Sequence, residues 1–463
     1  MPSTKEREFV LSRRAFLGGA LATGAAAAMG TGVLAATRAF GAGTVTRHPL
    51  FIPPVVSPSG LSLTAKPTSI DLGGGKLSKA WAYNDLMPGP TIHAARGDVA
   101  TITLHNALSE ETITHWHGMV VDHPNDGHPA FAIPPGGSYA YSFPIQQRAA
   151  FNWYHPHPHM LTGGQVNLGL AGGFIVTDTH EAGLGLPSGS YEVPLVIRDA
   201  SLDRQGNLVY KPRSGGFVGS ISLVNGTRDP YLNVDTALYR FRVLNGSNAR
   251  IWRLALANGA AFTLIGNDGG LLAAPVQLTT IDVAPGERLD LLVDFRAAAV
   301  GDRVMLRDVK AGWDLLEFVV ARQVSVPATI PSTLSTITKL ANPVRTRTFS
   351  FDGMSKINGL EYDINRIDFQ VPLGDVERWT FTTNGNAPHP VHVHGASYQV
   401  VARTGGRARL FPWEAGWKDT VLLADGETVD ILIRFTGYRG QYLIHCHKLE
   451  HEDMGMMSNF EVI

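Results

Sequence analysis

The 463 residues exceed what a single hydrophobic core supports and imply about three domains. With 39 Lys and Arg against 40 Asp and Glu the formal charge is -1, a balance that excludes a basic surface built for nucleic acid. Hydrophobic residues at 44%, with 50 Gly and 28 Pro, describe a folded chain rich in turns, and a single cysteine excludes any intramolecular disulfide.

Residues 1–43 read as a sorting signal. Ser12-Arg13-Arg14-Ala15-Phe16-Leu17 has the twin-arginine pattern, and a weakly apolar stretch rich in Gly and Ala follows from Gly18 to Ala36. That stretch holds too many Gly, Ala and Thr for a membrane anchor. Cleavage fits Ala39-Phe40-Gly41 and also Val33-Leu34-Ala35. The expectation is a periplasmic or otherwise exported protein that meets the twin-arginine machinery already folded.

From residue 44 onward the chain reads as short strands and turns, an all-β protein with no long amphipathic helix. Val99–Leu104 and Tyr139–Phe143 alternate apolar with polar residues. Thr428–Phe435 does so most cleanly, with Val429, Ile431, Ile433 and Phe435 on one face and Leu432 the exception on the other. A turn recurs ahead of such strands: Pro135-Gly136-Gly137-Ser138, Pro285-Gly286-Glu287-Arg288 and Asp425-Gly426-Glu427. The copies lie about 140–150 residues apart, the size of one β-sandwich. Domains are therefore expected over residues 44–180, 181–325 and 326–463, with Pro327, Pro331 and the Ser/Thr-rich run through Thr338 as a linker. In the first and third copies a His-x-His lies upstream of the turn and a second His-containing strand downstream. The middle copy has neither and reads as a spacer without metal.

Ten of the 17 histidines fall into four clusters: His115 and His117; His155 and His157; His389, His392 and His394; and His445, His447 and His451. In a strand, residues i and i+2 share a face, so each of the pairs 115/117, 155/157, 392/394 and 445/447 can present two imidazoles to one cavity. Eight nitrogen ligands are too many for one metal and suit three coppers coordinated two, three and three. Cys446 lies between His445 and His447, and His389 is an odd offset from His392, so both face away from that cluster. With His451 and Met456 they compose a separate mononuclear site of two imidazoles, a thiolate and a weak axial thioether. Structural zinc favours closed four-coordinate Cys/His sets and does not fit one cysteine among ten histidines. His48, His93, His105, His123, His128 and His180 read as structural, and His159 extends the 155/157 pair as a candidate supporting group.

The motifs HWHG, IPPGG, WYHPHPH, GLAGGFIV, NGLEYDINRIDFQVPLGDVERW, HPVHVHG, GWKDTV and HCHKLEHEDMGMM cover essentially the whole mature chain. Together they resemble a multicopper oxidase of the three-domain, laccase-like bacterial type. The resemblance implies three cupredoxin-like Greek-key β-sandwich or barrel domains and four coppers per chain. It implies a type 2 copper on His115 and His392, one type 3 copper on His117, His155 and His447, and the other on His157, His394 and His445. The type 1 copper would take His389, Cys446, His451 and Met456, and the Met456 thioether implies a moderate potential. Two acids fall where the family keeps proton donors, Asp126 near the type 2 copper and Glu452 beside His451.

The activity so implied takes single electrons from a phenol, an aromatic amine or a metal ion at the type 1 copper. They pass through Cys446 to His445 and His447, and four of them reduce dioxygen to water. A cuprous or other metal oxidase protecting the periplasm is the alternative. Relatives specialised for Cu(I) carry a Met-rich insert ahead of the HPxHxH motif, since soft thioethers bind that ion. Here the run 351–359 passes through without one, leaving Met354, Met454 and Met457 as a small candidate Cu(I) site. A structural cell-envelope relative without copper does not fit, because every ligand position is filled. A two-domain copper nitrite reductase would lack both the His445-Cys446-His447 bridge and the middle domain. A monomer is expected.

Overall fold

The computed structural model describes residues 45–213, 215–383 and 388–463. The twin-arginine pattern and both cleavage motifs lie outside them. Among the described residues no helix is long and apolar enough to cross a membrane.

Alternation of side chains decides the strands. In Val99–Asn106, Ala100, Ile102 and Leu104 are buried while Val99 and Thr101 are exposed. In Glu427–Arg434, Val429, Ile431 and Ile433 point inward, and Leu432 on the opposite face is buried as well. The repeated turn is also a repeat of conformation. Gly136, Gly286 and Gly426 all take left-handed backbone, with φ of 79°, 82° and 67°. Any residue with a Cβ would lose about 1–2 kcal/mol there.

Each turn feeds a strand, Ser138–Pro144, Arg288–Asp294 or Glu427–Arg434, that pairs antiparallel with Val99–Asn106, Leu238–Asn245 or Val376–Thr383. Those partners in turn pair in parallel with Ser59–Asp71, Glu192–Ala200 and Arg345–Asp352. The same mixed sheet therefore occurs three times along the chain. A second sheet packs on each, and side chains from both fill one core. Leu63, Ile102 and Tyr141 meet Trp116, Tyr154 and Phe174 in the first. Leu195, Phe241 and Leu291 meet Trp252, Leu254 and Phe318 in the second. Phe349, Trp379 and Ile431 meet Val391, Tyr442 and Phe460 in the third. Burying each such Leu, Ile or Phe contributes about 1.5–3 kcal/mol.

Two details depart from a simple beads-on-a-string reading. His48–Pro49, inside the range read as the first domain, pairs in parallel with Pro230 and Tyr231 of the middle unit. The linker forms no strand over residues 326–344, yet it is fixed to that unit. The Leu334 amide donates to the Ala273 carbonyl at 2.9 Å, and the Ser335 hydroxyl lies 2.9 Å from the carbonyls of Leu271 and Leu272.

Candidate metal centres

Strand register gathers the histidines. Thr114–His117 pairs antiparallel with Ala150–Pro156, and His115 lies directly opposite His155. His389–Val393 pairs with Gly440–Cys446, and His392 lies opposite His445. Directly opposed residues have Cβ atoms about 4.5–5.5 Å apart, so each ladder sets two imidazoles side by side. His157, His394 and His447 each fall one residue past the end of their strand. Strict alternation therefore holds within a strand only for 115/117. The two ladders meet face to face, with His117 stacked on His392 at 3.7 Å and His115 on His394 at 3.8 Å between ring centroids.

The result is one cavity of eight buried imidazoles. Donor atoms of His115, His117 and His155 lie within 4.8 Å of one another, as do those of His115, His392 and His394 and those of His157, His394 and His445. His447 closes the set, its ring 4.9 Å from His117 and 5.3 Å from His155. Outer contacts aim the rings. Nδ1–H of His115 donates to the Asp126 carbonyl at 2.6 Å, that of His392 to the Asp419 carbonyl at 2.8 Å, and that of His155 to the Pro156 carbonyl at 2.8 Å. Each bond leaves the Nε2 lone pair facing inward. Nε2 of His115 and His392 then stand 3.4 Å apart, those of His157 and His445 3.4 Å, and those of His394 and His445 3.0 Å. Burial, reinforced by the neighbouring imidazoles, holds His115, His117, His155, His392 and His394 well below the ordinary histidine value. Neutral imidazoles with lone pairs converging in a dry cavity repel one another unless a cation lies between them.

A second cluster lies on the other side of the Gly440–Cys446 strand. Sγ of Cys446 is 3.4 Å from Nδ1 of His389 and 3.8 Å from Nδ1 of His451, and the two nitrogens are 3.2 Å apart. All three residues are buried. The Lys448 amide donates to the sulfur at 3.4 Å, and the Cys446 amide donates to the Met456 carbonyl at 3.1 Å. The Met456 side chain is buried in the same core as Cys446.

Family models described as "Multicopper oxidase" match residues 64–181, 219–309 and 329–463. A laccase from Bacillus stratosphericus is 32% identical, covering 83% of this chain and 91% of the relative. The crystal structure of McoA multicopper oxidase from Aquifex aeolicus superposes with a TM-score of 0.84 at 37% identity, over 90% of this chain and all of that one. The chain belongs to the multicopper oxidase family. A further member of similar likeness is named cell division protein FtsP in Escherichia coli, 33% identical over 92% of both chains.

Membership in the multicopper oxidases implies copper and an oxidoreductase, and the donors present fit that metal. His155 Nε2, His157 Nδ1, His117 Nδ1 and both nitrogens of His447 are buried with no hydrogen-bond partner among the described residues. Imidazole with one thiolate is a donor set that suits copper.

Both expected acids border the histidine cavity. Asp126 is fully buried and accepts the Nδ1–H of His394 at 2.7 Å, while its other oxygen stands 3.7 Å from Nδ1 of His115. Burial pushes its carboxyl well above the ordinary range. Glu452 is carried by the short helix Leu449–Asp453, with Oε2 3.2 Å from Nδ1 of His445 and Oε1 3.6 Å from Nε2 of His157. Burial would raise its pKa, but His157 and His445 outweigh burial and hold it well below the usual carboxylate range. Among the described residues Nδ1 of His159 has no hydrogen-bond partner, and its ring lies 5.2 Å from that of Tyr362.

The middle unit, expected as a spacer without metal, also helps to shape the site. Its turn reaches the cavity, and a Cβ on Gly286 would stand 3.0 Å from the His447 ring and 3.2 Å from the His117 ring. Arg288, two residues on, is fully buried and bonds both oxygens of Asp419, one at 2.7 Å, as well as the Phe151 carbonyl at 3.0 Å. Asp419 Oδ1 in turn stands 3.1 Å from Nε2 of His117. Neither residue stood out in the sequence, because no histidine or cysteine accompanies them. GWKDTV and the Pro285–Arg288 turn were nevertheless the segments that carried them.

Proposed function

We propose that the chain is a laccase-like oxidase that couples one-electron oxidation of phenols or aromatic amines to four-electron reduction of dioxygen to water. In this reading His115 and His392 hold a type 2 copper. His117, His155 and His447 hold one type 3 copper, and His157, His394 and His445 hold the other. His389, Cys446, His451 and Met456 hold a type 1 copper, for four coppers in total. The metals would supply the redox chemistry and bind dioxygen. One observation carries the reading: Cys446 stands in one buried donor cluster while its covalent neighbour His445 stands in the other. In the same reading Glu452, ionised beside His157 and His445, accepts and passes on protons, and Asp126 orients His394 and His115. We also propose export by way of the twin-arginine pattern, and a monomer. The full set of twelve donors favours an oxidase over the cell division role carried by the name of one relative.

Copper-loaded protein given a phenol, an aromatic diamine or Cu(I), with dioxygen uptake as readout, tests the substrate class. The reading expects the highest kcat/KM with an organic reductant. A Cu(I) preference would favour the metal-oxidase alternative, for which Met354 and Met454 are exposed. Met457 is buried and removed from any three-methionine surface site.

A further inference from the structure

Beside the histidine cavity, at the junction of all three units, lies a separate cavity of about 440 Å³. Three arginines, Arg96, Arg148 and Arg434, are among the residues that line it. None of the three is in an ion pair among the described residues. Arg148 is the fixed one, stacked over the Trp417 ring at 4.5 Å and held otherwise only by a long 3.5 Å contact to the Gly269 carbonyl. Burial and the nearby Arg96 pull its pKa down to about 10, with Asp178 opposing, so it is cationic at neutral pH and under-compensated.

The one carboxylate on the lining, Asp268, is already taken. The Lys418 ammonium lies 2.9 Å from it and the Arg288 amide donates to it at 2.7 Å. The inner wall adds a donor. Asn152 is 1% exposed, and its Nδ2 has no hydrogen-bond partner among the described residues. A buried amide left unpaired is costly, and three like charges around one cavity add repulsion to that cost. Both terms vanish if an anion with several oxygens occupies the space, because guanidinium forks and an amide N–H are the donors such oxygens accept best.

We propose that this cavity is a binding site for a small multivalent oxyanion, a phosphate or a di- or tricarboxylate. Arg148 is its preset donor, Arg96 and Arg434 close from the exposed rim, and Asn152 donates from the inner wall. The site is distinct from the metal centres, since no histidine lines it. Gly118 and Gly395, which follow His117 and His394, form part of its lining.

Calorimetric titration of copper-loaded full-length protein with inorganic phosphate and, separately, citrate tests this, with chloride at matched ionic strength as the monovalent control. We expect one saturable site for at least one of the two probes, and which probe binds assigns phosphate or carboxylate. Arg434→Met, on the exposed rim, and Arg148→Ala should each weaken binding about tenfold or more, the equivalent of one charge-assisted hydrogen bond. The type 2 electron paramagnetic resonance signal should not move on saturation. The proposal is overturned by the absence of saturable heat from both probes up to about 10 mM. Equal affinity in both variants, or a type 2 signal that shifts in step with binding, would overturn it as well.

Discussion

A thiol enclosed in a dry core stays protonated, and burial pushes that of Cys446 up to about 12. Only a cation held alongside converts it to the thiolate, and His389 and His451 face the sulfur from which that cation would be shared. Cys446→Ser is therefore expected to abolish the thiolate-to-metal absorption band and nearly all dioxygen uptake. Uptake at the parental rate in that variant would remove the electron route through this residue. Glu452 poses a different question, because its carboxylate lies 3.2 Å from Nδ1 of His445 and 3.6 Å from Nε2 of His157, both cavity histidines. Glu452→Gln keeps the shape and removes the ionisable carboxylate, and dioxygen reduction should fall about 10²–10⁴-fold, the usual range for a positioned proton-transfer group. Stopped-flow reduction of the type 1 centre by a phenol should stay fast. If both half-reactions slow equally, Glu452 is packing rather than relaying protons.

At the scale of elements, two antiparallel ladders and one turn build the histidine cavity. The ladders fix which histidines lie side by side, while the turn at Gly286 brings the middle unit against His447 and His117. Arg288 ties the three together by bonding the Phe151 carbonyl and the Asp419 carboxylate from within the middle sheet. Replacing one member of a buried ion pair leaves the other charged and dry, at a cost of about 3–5 kcal/mol. Arg288→Met should therefore lower the thermal midpoint and, through His117, reduce the copper bound per chain. Asp419→Asn in the same chain should recover part of the stability by removing the stranded charge. Copper content and stability equal to the parent in Arg288→Met would show the brace to be dispensable.

For the whole molecule, metal and fold are coupled. Lone pairs and unpartnered nitrogens converge on the eight-histidine cavity between the first and third sandwiches, so a cation bound there stabilises the assembled chain and not its separated parts. Chelation should lower the unfolding midpoint, by the equivalent of about 4 kcal/mol where free copper exceeds its dissociation constant a thousandfold. A midpoint indifferent to copper would mean that the cavities are held open by packing alone.

The sequence by itself determined the all-β class, the threefold turn repeat and the histidine pairs. These follow from local rules, namely side-chain alternation at period two and glycine where backbone turns left-handed, and such rules are readable in any short window of residues. Tertiary structure alone decided that Arg288 and Asp419 brace His117, that His48–Pro49 pairs with the middle sheet, and that Arg96, Arg148 and Arg434 share one cavity. Those contacts join residues far apart along the chain, and their chemistry is ordinary until packing removes the water and the counter-charges around them.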